Sequence, residues 1–369
     1  MNIGFDGKRL YHNDTGLGSY SRTVLKRLLQ FYPNEDYKIF VHHKFYTTSP
    51  FKHTDLVDKT VVANHSSPKA WRLKYIQNEL IENQIQVYHG LSNELPINLP
   101  NQIKKVVTIH DVIHSKLPKS FSLFDRMIYK KKTKKAIQEA DCIIAVSQQT
   151  KNDLVEFFDA NEHKVKIIYP TWNREFDYPI TYNIKDEYWN KMHIPRDFIL
   201  YVGAISKRKN FTSILKALLT PENKDKNLVA VTQGGDEFKK VEKFIYENDL
   251  QDRIYFLHNI PNYELPIIYH MSQGLVYPSL YEGFGLPILE ALCCGKPVIT
   301  SKVSSMPEVG GDACIFIDPN NVEELANAIQ FIYYNLEYKE EVEQKAKLQV
   351  QQFAPDIMTK QLMDIYQTI

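Results

Sequence analysis

Two carboxylates eight positions apart, Glu282 and Glu290, bracket a glycine turn, Gly283-Phe284-Gly285. An apolar run with helical spacing follows: Leu286, Ile288, Leu289, Ala291 and Leu292. A short apolar stretch before the turn, Gly274 to Pro278, reads as a buried strand, and Gly295 and Pro297 close the helix before a new strand at Val298. The order strand, glycine turn, helix sets free backbone N–H groups and the positive end of a helix dipole beside a strand end. That is a natural seat for phosphate. Gly283 and Gly285 would let the backbone come close to it. Carboxylates are poor phosphate ligands but good acceptors for hydroxyl groups, such as those of a ribose and a sugar. The spacing alone leaves a second reading open: a surface helix with two ordinary glutamates.

Two other stretches carry comparable chemistry. Arg208 and Lys209 stand just before a helix beginning near Phe211, where fixed positive charge could meet a diphosphate; a surface basic turn is the plain alternative. His110 ends an apolar run, Lys105 to His110, and runs into Asp111. A single histidine at a strand end is more often a hydrogen-bonded structural group than a ligand contact.

The elements that must position these residues alternate. Apolar strands are expected at 2–6, 37–41, 85–89, 105–110, 142–146 and 164–168, and again at 197–202, 228–232, 254–257, 274–278 and from 298. Helical stretches separate them, which implies parallel sheets with helices on both faces and ligands off the carboxyl ends of the strands. His89 also falls at such an end. After the first strand, a polar loop is expected over 11–15. Gly16-Leu-Gly18 then leads into an amphipathic helix with Val24, Leu25, Leu28 and Leu29 on one face. As a dinucleotide signature this is weak, because Ser21 stands where a third glycine belongs. Residues 173–195, with Pro179, Pro195 and little periodicity, read as a linker between domains 1–172 and 196–353. A last helix, 354–369, is expected to pack back on the first domain.

The chain has 369 residues, a net charge of +1 and four cysteines. The length suggests two domains. The balanced charge argues against capture of nucleic acid. Cys142, Cys293, Cys294 and Cys314 lie in apolar contexts with no C-x2-C pair, so a zinc site is disfavoured and free thiols in a reducing cytosol are expected. The chain starts on a strand with no charged-then-apolar leader, and no apolar run approaches ~20 residues, so a cytoplasmic protein is expected. Residues 122–140 form a basic helix with Arg126, Lys130, Lys131, Lys132, Lys134 and Lys135, and Met127, Ile128 and Ile137 as apolar partners. A solvated face is the default; the alternative is a dock for anionic lipid headgroups or a lipid diphosphate acceptor.

The stretch YPSLYEGFGLPILEALCCGKPVITS, with its Glu-x7-Glu motif at Glu282 and Glu290, resembles glycosyltransferase family 4, the retaining enzymes of GT-B fold. IGFDGKRLYHNDTGLGSYSRTVLKRL, TIHD at 108–111 and YVGAISKRKN at 201–210 are similar to the same family, and the likeness runs along nearly the whole chain. It implies a GT-B architecture: two Rossmann-like doubly wound domains facing a central cleft. It also implies a reaction, transfer of a hexosyl group from a nucleotide-sugar donor to an acceptor hydroxyl with retention. Carried over by motif, Gly203, Arg208, Lys209 and the amides of Gly283, Phe284, Gly285 and Leu286 would meet the donor diphosphate. Glu290 would hold the ribose, and Glu282 the sugar hydroxyls. His110 would contact the transferred sugar, and Gly16 and Gly18 would face the donor phosphates and the acceptor. Asp111 would orient the loop or hold the ring, with His89 behind. Some members carry arginine directly after the glycine at 203; here Ala204 stands there, and Arg208 is expected to take that work. No Asp-x-Asp motif is present, and metal-independent chemistry with no cofactor is expected. The likeness points to family members that build bacterial surface polysaccharides (O-antigen or capsule), with GDP-mannose as donor and a glycan or lipid-linked oligosaccharide as acceptor. A cytoplasmic enzyme that can act peripherally on the inner face of the cytoplasmic membrane is the expectation. Three other classes fit these residues less well. A sugar-nucleotide epimerase would lack the complete Glu-x7-Glu motif. A two-lobed solute-binding protein would carry an export signal. A catalytically silent relative would not need Glu282, Glu290, Lys209 and His110 together.

Overall fold

A computed structural model of the chain describes residues 1–13, 15–49, 56–118 and 121–369. The chain divides into two compact units, Met1–Thr171 with Ala354–Ile369, and Trp172–Phe353.

The first unit is built on seven strands: β1 Asn2–Asp6, β2 Asp36–His42, β3 Thr60–Ala63, β4 Val87–Gly90, β5 Lys104–Ile109, β6 Cys142–Ala145 and β7 Val165–Ile167. They pair in the order β3-β2-β1-β4-β5-β6-β7, every pair parallel. Successive side chains of a strand go to opposite faces, and both faces are buried. Val87 and Val106 enter one core with Tyr20, Val24, Leu25 and Leu28 of the helix Gly16–Phe31. Their neighbours Tyr88 and Val107 enter the other, with Trp71, Leu80, Ile137 and Leu154. Burial on both faces explains why these strands read as continuous apolar runs. The helix Pro355–Thr368 returns to this unit and seats Met358, Leu362, Met363 and Tyr366 in the first of those cores.

The second unit carries six strands: β8 Ile199–Val202, β9 Leu228–Val231, β10 Ile254–Leu257, β11 Leu275–Tyr277, β12 Val298–Ser301 and β13 Cys314–Ile317. Their order is β10-β9-β8-β11-β12-β13, again all parallel. In both sheets the strand order reverses beside the first strand of the unit, and such a reversal is where ligands gather in open α/β sheets.

Four local expectations need correction. The 11–15 loop is in part helical: Lys8–His12 forms a short helix that buries Leu10 and Tyr11, while Asp14 lies outside the described residues. The glycine turn at Gly16 is already the first turn of the following helix. The linker 173–195 contains a helix, Tyr182–Met192, within the second unit; Lys191 ties it to the buried Glu264 at 2.8 Å. In the basic helix, Leu123–Glu139, only the far half packs, through Thr133, Ala136 and Ile137. Met127 is 64% exposed rather than an apolar partner, while Ile128 is half-buried and Tyr129 lies against His114 and Phe121. Two edge strands, β3 and β13, were not anticipated.

Candidate active site

In the second unit the glycine turn is where it was expected. Gly285 sits at φ 110° and caps the helix Leu286–Cys293; only glycine takes that conformation cheaply. Phe284 buries its ring against Phe353. The turn is pinned from behind by two serines with no counterpart in the motif. Ser304 Oγ donates to the Glu282 carbonyl (2.6 Å), and Ser305 Oγ to the Glu282 and Phe284 carbonyls (3.0 and 2.7 Å).

The structure brings Arg208, Lys209 and Glu282 together across more than seventy residues of chain. Arg208 Nη1 lies 2.6 Å and Lys209 Nζ 2.7 Å from the same oxygen, Glu282 Oε1. Arg208 also donates to the Tyr281 carbonyl at 2.7 Å, and Lys209 to the Tyr277 hydroxyl. Asn210, in the left-handed conformation at φ 55°, reaches the carbonyls of Pro278 (3.2 Å) and Pro319 (2.7 Å) and locks the two loops edge to edge. Gly203, at φ 146°, starts this loop, and a side chain there would abut Lys209. Burial alone would raise the Glu282 pKa, but Arg208 and Lys209 hold it down to about 2. The carboxylate is therefore charged, and two cations against one anion leave a net positive charge beside a helix N-terminus.

Glu290 faces the opposite situation. It is 9% exposed and, among the described residues, has no ion-pair partner; Tyr269 donates to its Oε2 at 2.8 Å. Burial pushes its pKa up to about 7, with the Tyr269 hydrogen bond pulling the other way. Glu282 is 8% exposed, so neither glutamate is an ordinary surface residue. Tyr269, Tyr277, Ser304 and Ser305 escaped the sequence reading, because a tyrosine in a helix or strand and a serine before a helix look structural until their partners are known.

In the first unit His110 directly follows β5. Its backbone N–H donates to Asn93 Oδ1 and its Nε2 bonds the Leu91 carbonyl, both at 2.8 Å. A carbonyl can only accept, so Nε2 carries the proton and Nδ1 presents a lone pair. The Tyr20 ring stands perpendicular to the imidazole, 4.6 Å away between centroids. Burial lowers the His110 pKa, opposed by the Leu91 carbonyl and Asp111 and assisted by Arg9, so the ring is neutral near pH 7. Asp111 accepts from the Ile113 N–H at 3.2 Å, orienting the loop rather than holding the ring. His89 is fully buried between the Tyr366 hydroxyl (2.6 Å) and Thr108 Oγ1 (2.8 Å), a positioning group with no face toward a ligand. Gly18 lies where a side chain would collide with the Asn13 carbonyl, and its N–H is engaged by Asn13 Oδ1 at 3.0 Å; Gly16 faces open space.

Residues 21–176 match the family model of glycosyltransferase family 4, and residues 187–349 that of glycosyl transferases group 1. The chain is 27% identical over 387 residues to O-antigen chain mannosyltransferase B of Escherichia coli, with all of both chains covered. Among solved structures, sucrose-phosphate synthase from Thermosynechococcus elongatus aligns with a TM-score of 0.79 at 19% identity, covering 100% of this chain and 98% of that one. Anabaena HepE in complex with UDP and glucose aligns at 0.77 and 16% identity over the whole of both chains. The two parallel sheets and their helices are those of the GT-B fold, and the chain belongs to the group 1 glycosyltransferases of family 4.

Proposed function

We propose that this glycosyltransferase moves a mannosyl group, with retention, from GDP-mannose to a hydroxyl of a glycan or lipid-linked acceptor in the assembly of a surface polysaccharide. The observation that carries the donor site is the convergence of Arg208 and Lys209 on Glu282 beside the Gly285 helix N-terminus. The full-length likeness to an O-antigen mannosyltransferase supports mannose and the polysaccharide, and a relative seen with UDP and glucose supports a nucleotide-bound donor.

In the reaction the bond from the sugar's anomeric carbon to the diphosphate oxygen breaks, and the acceptor oxygen bonds that carbon on the same face. The acceptor proton passes to the departing phosphate oxygen. Arg208, Lys209 and the amides from Gly283 to Leu286 stabilise the extra charge on the diphosphate, the part of the problem where fixed dipoles and cations act most strongly. With those cations in place no metal is required. Glu290 accepts from the ribose hydroxyls and Glu282 from the sugar. His110 offers its Nδ1 lone pair to a sugar hydroxyl and, being neutral, adds no charge that would oppose an oxocarbenium-like state.

Among the described residues no helix is long and apolar enough to cross a membrane. Contact with an anionic bilayer is proposed through the helix Leu123–Glu139. Leu123, Phe124 and Met127 stand 77%, 67% and 64% exposed at the same end as Arg126, Lys130 and Lys131. Apolar side chains among cations are the composition of an interfacial helix.

Thermal unfolding with GDP, UDP, dTDP and CMP, with and without magnesium, tests the donor reading. A ligand at 100 times its dissociation constant adds about 2.7 kcal/mol. Stabilisation by GDP, independent of magnesium and lost in Glu290→Ala, is the expected result; no response to any nucleotide would remove the donor site.

A further inference from the structure

Strand β4 ends at Gly90, and its pairing with β5 stops there, opposite Val107. The chain then folds back in a short loop, residues 91–94. A side chain at Gly90 would strike the Glu94 carbonyl oxygen, so the loop closes tightly on the strand end. Asn93 stands in this loop at φ 56°, a left-handed conformation that asparagine takes more readily than most residues with a side chain. From there it continues the pairing that β4 has dropped. Its backbone N–H donates to the Thr108 carbonyl at 2.9 Å. Its Oδ1 accepts from the His110 N–H at 2.8 Å, and its Nδ2 donates to the Asp111 carbonyl at 3.3 Å.

His110 is therefore held twice by one loop: its main chain by Asn93, and its ring by the Leu91 carbonyl, 2.8 Å from Nε2. On its other side Thr150 Oγ1 donates to the His110 carbonyl at 3.3 Å. The loop is anchored in turn at Glu94, whose carboxylate is paired with Arg72 and lies 2.7 Å from Lys132 Nζ. An imidazole turns about its two side-chain bonds unless its backbone and a ring partner are fixed relative to each other. The Leu91 bond selects the Nε2–H tautomer only while that register holds, and Asn93 is the tie that holds it. A reacting group displaced by about 1 Å can lose about a hundredfold in rate.

We propose that Asn93 is a positioning residue for sugar transfer: it fixes where the His110 ring stands and which ring nitrogen carries the proton, and it acts only through His110. The proposal rests on the reading of His110 as the group that meets the transferred sugar.

Asn93→Gly keeps the left-handed backbone accessible and removes both side-chain bonds; Asn93→Asp keeps an acceptor for the His110 N–H. Full-length wild type, both variants, His110→Ala and the double variant Asn93→Gly/His110→Ala are assayed for GDP released from GDP-mannose without acceptor, and for GDP affinity by calorimetry. Nitrogen NMR of protein labelled in its histidine rings, with His110 assigned by its loss in His110→Ala, reads the tautomer at pH 8. Wild type should show the Nε2–H form alone, and Asn93→Gly a mixture of tautomers. The kcat for GDP release should fall about tenfold or more in Asn93→Gly and less in Asn93→Asp, while GDP affinity stays within about twofold. Adding Asn93→Gly to His110→Ala should cost no more than about twofold further, because a residue acting through the ring has nothing left to position. If Asn93→Gly does not unfold cooperatively, Asn93→Asp carries the same cycle. An unchanged tautomer in Asn93→Gly, or its full loss repeated in the His110→Ala background, would overturn the positioning role. Undiminished GDP release by His110→Ala would instead overturn the reading of His110. Absence of GDP release by wild type would overturn the donor reading and leave the tautomer to decide whether Asn93 positions the ring.

Discussion

The Tyr269 hydroxyl and the buried Glu290 carboxylate share a 2.8 Å hydrogen bond, and among the described residues no cation pairs with Glu290. Glu282, eight residues earlier, is buried to the same degree but held by two cations. Two glutamates of one motif are thereby set at opposite ends of the carboxylate range, about 7 and about 2. Environment rather than residue type separates their roles.

Nucleotide affinity should rise with pH through the Glu290 transition. Only the ionised carboxylate accepts from two ribose hydroxyls, so GDP binding measured by calorimetry should tighten several-fold between pH 6 and pH 8 and then level off. Tyr269→Phe removes the bond that favours the ionised form and should move the rise to higher pH; Glu290→Gln should bind weakly and without a slope. The same group reports on stability. Its folded pKa, about 7, lies above the ordinary 4.5, so its burial penalty is absent below pH 4.5 and complete above pH 7. Glu290→Gln should then be more stable than wild type at pH 8 by up to roughly 3 kcal/mol, with no such gain at pH 4.

Glu282→Gln should separate binding from turnover. The free protein loses the anion between Arg208 and Lys209, at a cost of about 2 kcal/mol in chemical denaturation. The freed cations should hold GDP at least as tightly as before, while kcat for transfer falls at least tenfold. The sign with pH is the reverse of that for Glu290. A pKa near 2 lies below 4.5, so the stability from Glu282 is present above pH 4.5 and lost as pH falls toward 2. A variant that binds GDP poorly would show that the carboxylate, not the cations, organises the site.

The return of Pro355–Thr368 to the first unit makes the C-terminus structural. Tyr366→Phe strands one nitrogen of the buried His89 and should cost about 1–3 kcal/mol. Deleting residues 354–369 uncovers Met358, Leu362, Met363 and Tyr366 sites and should abolish cooperative unfolding of that unit by calorimetry. His89 is held neutral by burial, then by His110, with a pKa of about 3. Its unfolded form takes up a proton near pH 6.5, so wild type should lose stability as pH falls from 6.5 toward 3, and His89→Gln should lose less.

The exposed end of the basic helix should act on membranes without acting on the fold. Leu123→Ser, Phe124→Ser and Met127→Ser combined should leave thermal stability within about 1 kcal/mol, since these side chains are largely exposed. Co-sedimentation with vesicles rich in anionic lipid should fall several-fold, more so in added salt. Unchanged co-sedimentation would assign the helix to solvent.

Much of this protein was determined by short stretches of sequence acting locally. Apolar runs such as those of β1, β5 and β8 specify buried parallel strands because both their faces must be covered. Gly285 specifies the turn before its helix because no other residue takes that φ cheaply, and Glu282 and Glu290 follow from their place on that turn and helix. Tertiary structure decided what those groups are chemically. Glu282 is a charged clamp for Arg208 and Lys209, and Glu290 a carboxyl that titrates near neutrality, because of partners distant in the chain: the 203–210 loop for one, Tyr269 for the other. The edge strands β3 and β13 form by pairing with a neighbour along one side, and the helix at 182–192 by docking on a neighbouring helix, so their own residues announce them weakly. The exposure of Met127 is likewise a fact of what lies beside it. Local conformation depends on a residue's own backbone and side chain; burial, pKa and pairing depend on neighbours that only the folded chain brings close.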